Sequence, residues 1–531
     1  MFTNKKSLLA LSVVSAIALS GCFSDKKGAE TPPPVEPPPA VIVPPAAPEA
    51  LAPVANVNVI DAESTDLVAA ANISFFENGT ASTNIVDVDG NVTATIDSVD
   101  GSFTFQLKSG ASVSEITAIV IADTYITKSY VIELEDLSEG NLDLQLKLIS
   151  KDTAGVATTE VTASVAGGAT PDEITANVAD GQAAANVTVA AGTILQDADG
   201  NAISGDSITL DVVTADTSTS AGTAITPEGL NAAESATTLT PVSVVSVVMV
   251  DNNGVKIKKF SQPITIEMAL PEDKGFTTGD ELTLLSQNED TGVWTTESQK
   301  LVVGDLVAAN NYYNASFATD HLTTFAGVTV SDTCTVPVRI LTTGDAMPAD
   351  GLYVDVSSDS VNFSKKLKAN NPIFVKLNKL SKRGIAVDTT ANVVITDSSD
   401  EVWFETTSEV ALCGDINATL AGPTVVNETL SLVAQCSNDT SSTVGASGAL
   451  VKYSLASKSK KVARAEGEGS YALRNLLEGS TYNVTVTYKG TLASLGTKAY
   501  TITADGTDET QTESITCDTT TGGTGGTGGT G

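Results

Sequence analysis

The sequence predicts an all-β protein built from tandem β-sandwiches, and three observations carry that reading. Apolar and polar residues alternate at period two in short segments, as in Val54-Ala55-Asn56-Val57-Asn58-Val59, Ser102-Phe103-Thr104-Phe105-Gln106-Leu107 and Leu142-Asp143-Leu144-Gln145-Leu146, which puts successive side chains on opposite faces of a strand. Turn dipeptides recur between such segments: Asp89-Gly90, Glu139-Gly140, Asp199-Gly200 and Asn253-Gly254. Val, Thr and Ile are abundant and helical periodicity is scarce, which suits pleated, half-buried surfaces. At about 150 residues per domain, 531 residues make room for roughly three to five such units.

Composition narrows the function classes. The chain carries 64 Asp and Glu against 29 Lys and Arg, a formal net charge of −35, yet only 18% of residues are charged and 41% are hydrophobic. That proportion supports packed cores rather than a disordered polyacid. The acidity opposes binding to nucleic acid or anionic lipid. A single His excludes His-cluster metal sites, and no Cys-x-x-Cys exists for zinc or thiol redox chemistry. No Gly-rich phosphate loop follows a strand and opens a helix. Among 64 acids, no one carboxylate pair points to glycoside hydrolysis.

The N-terminus reads as an address. Lys5 and Lys6 precede an apolar run, Leu8–Leu19, that is too short to span a bilayer, and Leu19-Ser20-Gly21-Cys22 follows. These residues resemble a bacterial lipoprotein signal peptide (1–21) with its lipobox. The resemblance implies cleavage before Cys22, lipidation of that residue and stable membrane anchoring by two or more acyl chains. Phe23 rather than Asp follows Cys22, which in this family implies the outer membrane, surface-exposed or facing the periplasm. Residues 22–54 then form a Pro-rich linker holding ten of the nineteen prolines. In polyproline II, residues 32–53 would project on the order of 70 Å.

Four folded regions are expected after the linker. The first covers 55–152. Its Val57-Asn58-Val59-Ile60-Asp61 start, Asp87-Val88-Asp89-Gly90 turn and Ala122-Asp123-Thr124-Tyr125 stretch resemble carboxypeptidase regulatory-like, or transthyretin-like, sandwiches across 55–150. The second covers 153–330, as one sandwich or two. The run from Thr193 to Asn201, then Pro227-Glu228-Gly229-Leu230, Asp290-Thr291-Gly292-Val293-Trp294 and His321-Leu322-Thr323-Thr324-Phe325 resembles the ankyrin-type and adhesion-receptor autoproteolysis sandwiches.

Regions 331–420 and 421–518 hold the other four cysteines. Cys334 and Cys413 are 79 apart, and Cys436 and Cys517 are 81 apart. The near-equal spacing suggests two copies of one unit, each stapling its first strand to its last. An even cysteine count in an exported chain favours disulfides. Of three possible connectivities, 334–413 with 436–517 fits this reading best. In the last region, Tyr471-Ala472-Leu473-Arg474-Asn475-Leu476 followed by Gly479-Ser480-Thr481-Tyr482-Asn483-Val484 resembles the tyrosine corner of fibronectin type III, an immunoglobulin-like sandwich, and region 331–420 lacks that motif. Residues 519–531 form a Thr/Gly tail with no core-forming side chains.

Charge divides with position. Residues 22–330 have a balance of −31 and residues 331–531 one of −6. Lys365, Lys366, Lys368, Lys376, Lys379, Lys382 and Arg383 form one basic cluster, and Lys458, Lys460, Lys461 and Arg464 another. Two readings stand: a face for acidic polysaccharide or an envelope protein, or solvated strand edges where Lys discourages aggregation.

Two further motifs touch on chemistry. In the receptor family, a His beside a Leu–Thr bond assists hydroxyl attack on the preceding carbonyl. Carried over, His321 would be the base, Thr323 the nucleophile and Leu322–Thr323 the cleaved bond, although the flanking cysteines of that family are absent. A strand-closing role with no cleavage is the other reading, and no enzymatic residue is assigned. Calcium oxygens are offered by Asp87, Asp89 and Asn91, by Asp197, Asp199 and Asn201, and by Asp251, Asn252 and Asn253. Hairpin turns explain the first two sets equally well, and no cofactor is required. Trp294 and Trp403 sit in strand-like contexts that favour core packing. The expected protein is a non-enzymatic lipid-anchored envelope or surface protein in adhesion, matrix or envelope assembly. A carbohydrate- or protein-binding accessory lipoprotein is the alternative, and a self-cleaving module a third class.

Overall fold

The computed structural model describes residues 40–231 and 234–520; Cys22, its signal peptide and residues 521–531 lie outside the described residues. Residues 44–518 form one packed unit. A small separate unit holds, among the described residues, Val41–Val43 and the facing residues 519–520. Val41-Ile42-Val43 is a Pro-free β-branched run within the Pro-rich segment, so it retains the backbone donors a strand needs. The end of the linker also departs from the expected spacer. Pro48 is buried, the Thr491 hydroxyl donates to the Ala46 carbonyl at 2.7 Å, and the Gln106 amide donates to the Ala52 carbonyl at 2.8 Å.

The first sandwich packs two sheets. One runs Leu142–Leu148, Ala55–Asp61, Ser102–Leu107, Ile85–Val86; the other runs Thr80–Ala81, Ala71–Glu77, Glu115–Ile121, Lys128–Glu133, with Thr95–Ser98 also on Ala71–Glu77. Phe75, Phe103 and Phe105 meet in its centre, with Phe75 and Phe105 centroids 5.3 Å apart and tilted, a geometry that aromatic quadrupoles favour. The second region is one continuous eleven-strand sheet rather than two sandwiches. Its long strands, Thr237–Asp251, Lys259–Pro271 and Val293–Val307, carry the sheet around a main core containing Met249, Met268 and Phe325.

The third and fourth sandwiches have separate cores, around Phe363, Phe374 and Trp403 and around Tyr453, Tyr471 and Tyr482. In the first, third and fourth sandwiches the first and last strands pair in parallel: Ala55–Asp61 with Leu142–Leu148, Val338–Gly344 with Asp415–Leu420, and Val425–Cys436 with Glu509–Ile515. Parallel pairing brings like ends together, so a cysteine at the same end of both strands is within bonding reach. Both disulfides form, Cys334–Cys413 and Cys436–Cys517. They sit at opposite ends, before both strands in the third sandwich and at the C-terminal end of both in the fourth, so the two units are not simple copies. The Tyr482 hydroxyl accepts from the Leu477 amide at 2.8 Å, the backbone tie expected of a tyrosine corner. Among the described residues, no helix is long and apolar enough to cross a membrane.

The basic cluster of the third sandwich faces the first, and Lys460 of the second cluster joins it there. Lys365 reaches Glu133 at 3.2 Å, Lys366 reaches Asp143 at 3.5 Å, Lys368 reaches Asp136 at 2.9 Å, and Lys382 reaches Glu115 at 3.1 Å. Lys376 meets Glu135 at 3.4 Å and Arg383 meets Glu133 at 3.3 Å, while Lys379 lies among Glu115, Glu133 and Glu135 at 3.5–3.9 Å. From the fourth sandwich, Lys460 pairs with Asp100, Lys489 with Asp89 at 2.8 Å, and Lys458 crosses to Asp400 of the third at 3.3 Å. The charge asymmetry along the chain is thus matched in space.

Asn56 and Asn58 complete this joint. Alternation puts them on the polar face of Ala55–Asp61, yet both are fully buried, because the fourth sandwich covers that face. The Asn58 side chain accepts from the Lys460 amide at 2.9 Å, and both Asn side chains donate to the Lys460 carbonyl, at 2.6 and 2.9 Å. Asn58→Leu leaves the Lys460 amide without this partner. A stability loss of about 1–3 kcal/mol is expected, read as a lowered denaturant midpoint.

Candidate functional site

A cleft of about 820 Å³ is walled by the first, third and fourth sandwiches. Strands at the edges of their sheets line it: Leu142–Leu148 and Lys128–Glu133 of the first, Asn362–Leu367 of the third and Arg464–Gly467 of the fourth. The edge of Lys128–Glu133 is closed by Glu228, whose carboxylate accepts from the Val131 amide at 2.8 Å and whose own amide donates to the Ser129 carbonyl at 2.9 Å. Arg464–Gly467 stays exposed at all four residues.

Eight basic and five acidic side chains line the cleft, a balance of +3 in a chain of −35. Glu133 sits at the centre of the ionic wall. Burial alone would raise its carboxyl, but Arg383, Lys365 and Lys379 overcome this and hold it at about 2. Lys128 is wholly buried, donates to the Ala224 carbonyl at 2.6 Å, and lies 5.2 Å from the Tyr130 ring centroid. Burial lowers its pKa, and the Glu228 charge works against that. Deeper under the fourth sandwich, burial brings Lys461 down to about 8; its ammonium donates to the Arg474 carbonyl at 3.2 Å.

The aromatic rings of the cleft are committed to structure. Tyr453 donates to the Arg474 carbonyl at 3.1 Å and accepts from its amide at 3.0 Å. Tyr471 donates to the Ala446 carbonyl at 2.6 Å and accepts from the Ala449 amide at 2.9 Å, and Tyr130 donates to the Lys147 carbonyl. All three are buried, as is Phe363, the fourth ring of the lining, so none offers a face for sugar stacking. Trp403 is core, as its context suggested, and its indole N–H reaches Asp397 at 3.3 Å. Trp294 is half-buried with its N–H on the Glu228 carbonyl at 3.1 Å.

His321 and Thr323 are close in sequence but have separate partners. His321, at the end of Tyr312–His321, faces Glu297 at 3.3 Å through Nε2 and meets Thr319 and Asp320 through Nδ1 at 3.1 and 3.2 Å. The Thr323 hydroxyl is bonded to the Gln287 carbonyl and to the Glu289 carboxylate, the latter at 2.7 Å. Leu322 between them is buried in the core. The structure therefore does not seat the imidazole on the hydroxyl that it would activate.

Asp87, Asp197 and Asp251 each cap a turn of their own chain. Asp87 accepts from the Asp89 and Asn91 amides at 2.9 Å each, and Asp89 pairs with Lys489. Asp197 accepts from the Asn201 amide at 2.8 Å and from its side-chain amide at 3.2 Å. Asp251 accepts from the Asn253 and Val255 amides at 3.0 and 2.8 Å, and Asn252 accepts from the Asp206 amide at 3.2 Å. These are turn-capping bonds. Among the described residues, no group of three His, Cys, Asp or Glu side chains converges as a metal site.

Sequence reasoning found the basic clusters and missed where they dock. It also missed the cleft, whose walls are far apart in the chain. The available signal was the division of charge between 22–330 and 331–531.

No family model matches this chain, and no curated protein matches it. Among solved structures, the TIE protein of Bacillus anthracis is similar over 87% of this chain at 8% identity, with a TM-score of 0.14, and this chain spans 57% of its length. The major pilin subunit BcpA of Bacillus cereus is similar over 88% of this chain and 99% of its own, at 9% identity and a TM-score of 0.13. The major pilin RrgB of Streptococcus pneumoniae is similar over 87% of this chain and all of its own, at 10% identity and a TM-score of 0.14. Likeness at this level carries no functional argument, and the all-β architecture rests on the strand pairings themselves.

Proposed function

We propose that this chain is a non-enzymatic, lipid-anchored envelope or cell-surface protein acting in assembly or adhesion. The observation that carries the reading is the ionic joint: the first, third and fourth sandwiches of a chain with a lipobox-like start are drawn together by side chains that would otherwise be free to bind ions or polymers. Such a unit acts as a scaffold. Its hydroxyl, imidazole and carboxylate groups are spent on turns and joints rather than gathered around a reacting atom. The outer membrane is the proposed location, on the residues Leu19-Ser20-Gly21-Cys22 and Phe23.

Metabolic labelling with a palmitate analogue tests the anchor. The wild-type chain should take up label and sediment with membranes, and Cys22→Ala should do neither. Unlabelled wild-type protein would overturn the lipid-anchored reading. A second reading, an accessory lipoprotein that binds protein or carbohydrate, is favoured by the cleft.

A further inference from the structure

Strand edges with free backbone groups are normally covered, shortened or charged, because they pair with whatever extended chain arrives. In the cleft, three edges are left after Glu228 closes the fourth. Those of Leu142–Leu148 and Asn362–Leu367 belong to the walls joined by the Lys366–Asp143 and Lys147–Asp355 pairs, at 3.5 and 2.7 Å. Arg464–Gly467 is the exposed one: it ends its sheet and pairs only with Ser470–Leu477 among the described residues.

The charge beside that edge is also incompletely used. Arg464 has no ion-pair partner among the described residues, and Arg474 stands 3.6 Å from both Asp350 and Glu466, beyond good hydrogen-bond distance. Counting Glu466 of that strand and Asp355, the partner of Lys147, lowers the lining's +3 to +1, so the positive charge beside the edge rests on Arg464 and Arg474, and low-dielectric walls focus such a field. The complementary ligand is an anion. Its class follows from the walls: the rings are buried, which removes the stacking platform a glycan would use, whereas an open strand edge offers an extended peptide main-chain partners.

We propose that the cleft receives an extended acidic peptide segment of a partner polypeptide, its backbone adding to the edge of Arg464–Gly467 and its carboxylates meeting Arg464 and Arg474. Strand addition of this kind draws affinity from main-chain bonds and selectivity from alternate side chains. The proposal deepens the assembly reading by naming the chemistry of the partner, and it rests on that reading.

The test uses the full chain in detergent and a fluorescein-labelled eight-residue peptide of alternating Glu and Thr. Saturable binding is expected, weakened at least tenfold by Arg464→Glu and by N-methylation of alternate peptide amides, and absent for the Lys/Thr counterpart. Arg464 is exposed, so its replacement leaves the core intact; Arg474→Gln supplies a second variant and should also weaken binding. The proposal is overturned by absence of saturation, by affinity unchanged in both arginine variants, or by equal binding of the N-methylated peptide. It is likewise overturned if an oligogalacturonate of matched charge binds more tightly and loses that binding in Arg464→Glu, since the cleft would then be a glycan site. Lipid labelling is scored separately, so loss of the anchor reading and loss of the peptide site are distinguishable.

Discussion

Replacing Cys436 and Cys517 together with serine is expected to destabilise the fourth sandwich by about 4–5 kcal/mol on the chain-entropy account. The bond closes a segment with a sequence separation of 81, so reduction releases a long loop in the unfolded chain. The effect is expected to be local. The fourth sandwich has its own core, and its first and last strands remain paired from Leu430↔Glu509 to Cys436↔Ile515 in the folded state. Amide exchange at Val484 and Val486, both buried, reads the local opening free energy directly. Cys334 and Cys413, at a separation of 79, should behave alike in the third sandwich. A loss below about 1 kcal/mol in either case would mean that native strand pairing closes the unit without help from the covalent link.

The first sandwich makes the same parallel closure, Ala55↔Leu142 to Asp61↔Leu148, with no disulfide. Its support is the ionic joint, which sets the second large effect. Glu133→Gln keeps the shape of the side chain and removes the charge that Lys365, Lys379 and Arg383 share. A carboxyl held at about 2, against 4.5 ordinarily, corresponds to about 3 kcal/mol of stability. The sign follows from the direction: folding depresses this pKa, so the contribution is complete above about 4.5 and is lost as the pH falls toward about 2. Acid titration of unfolding should therefore show a steep limb in that window for the wild type and a shallower one for Glu133→Gln. Identical acid limbs would contradict the joint's energetic role.

Much of the fold was legible because alternation is a local signal. Ala55–Asp61, Ser102–Leu107 and Leu142–Leu148 lie where the alternating residues put them, and the two cysteine spacings anticipated both disulfides. Alternation does not say which distant strand a strand joins, so the parallel first-to-last closures and the single eleven-strand sheet came from the structure. Nor does it say what will cover a polar face. Asn56 and Asn58 look like solvent-facing residues until the backbone at Lys460 is placed against them. In hindsight, two asparagines with no Lys, Glu or Thr on that face suit a buried, directional contact better than a solvated one. The candidate site was least legible, since the Lys365–Glu133 pair is separated by 232 residues and the Lys460–Asp100 pair by 360. His321 and Thr323 show the converse: adjacency along the chain did not make them partners, because Glu297 and Glu289 from neighbouring segments took one each.

The central claim is that the basic clusters of the third and fourth sandwiches are internal joints to the acidic first. Zero-length carbodiimide coupling followed by peptide mass spectrometry tests it most directly, since only amines and carboxylates already in contact are joined. The predicted products are Lys382–Glu115, Lys365–Glu133, Lys368–Asp136 and Lys460–Asp100 within one chain, alongside the control pair Lys256–Asp290, which lies within the second region at 2.6 Å. Recovery of the control with none of the four inter-sandwich products would contradict the account and return both clusters to the solvent-facing role.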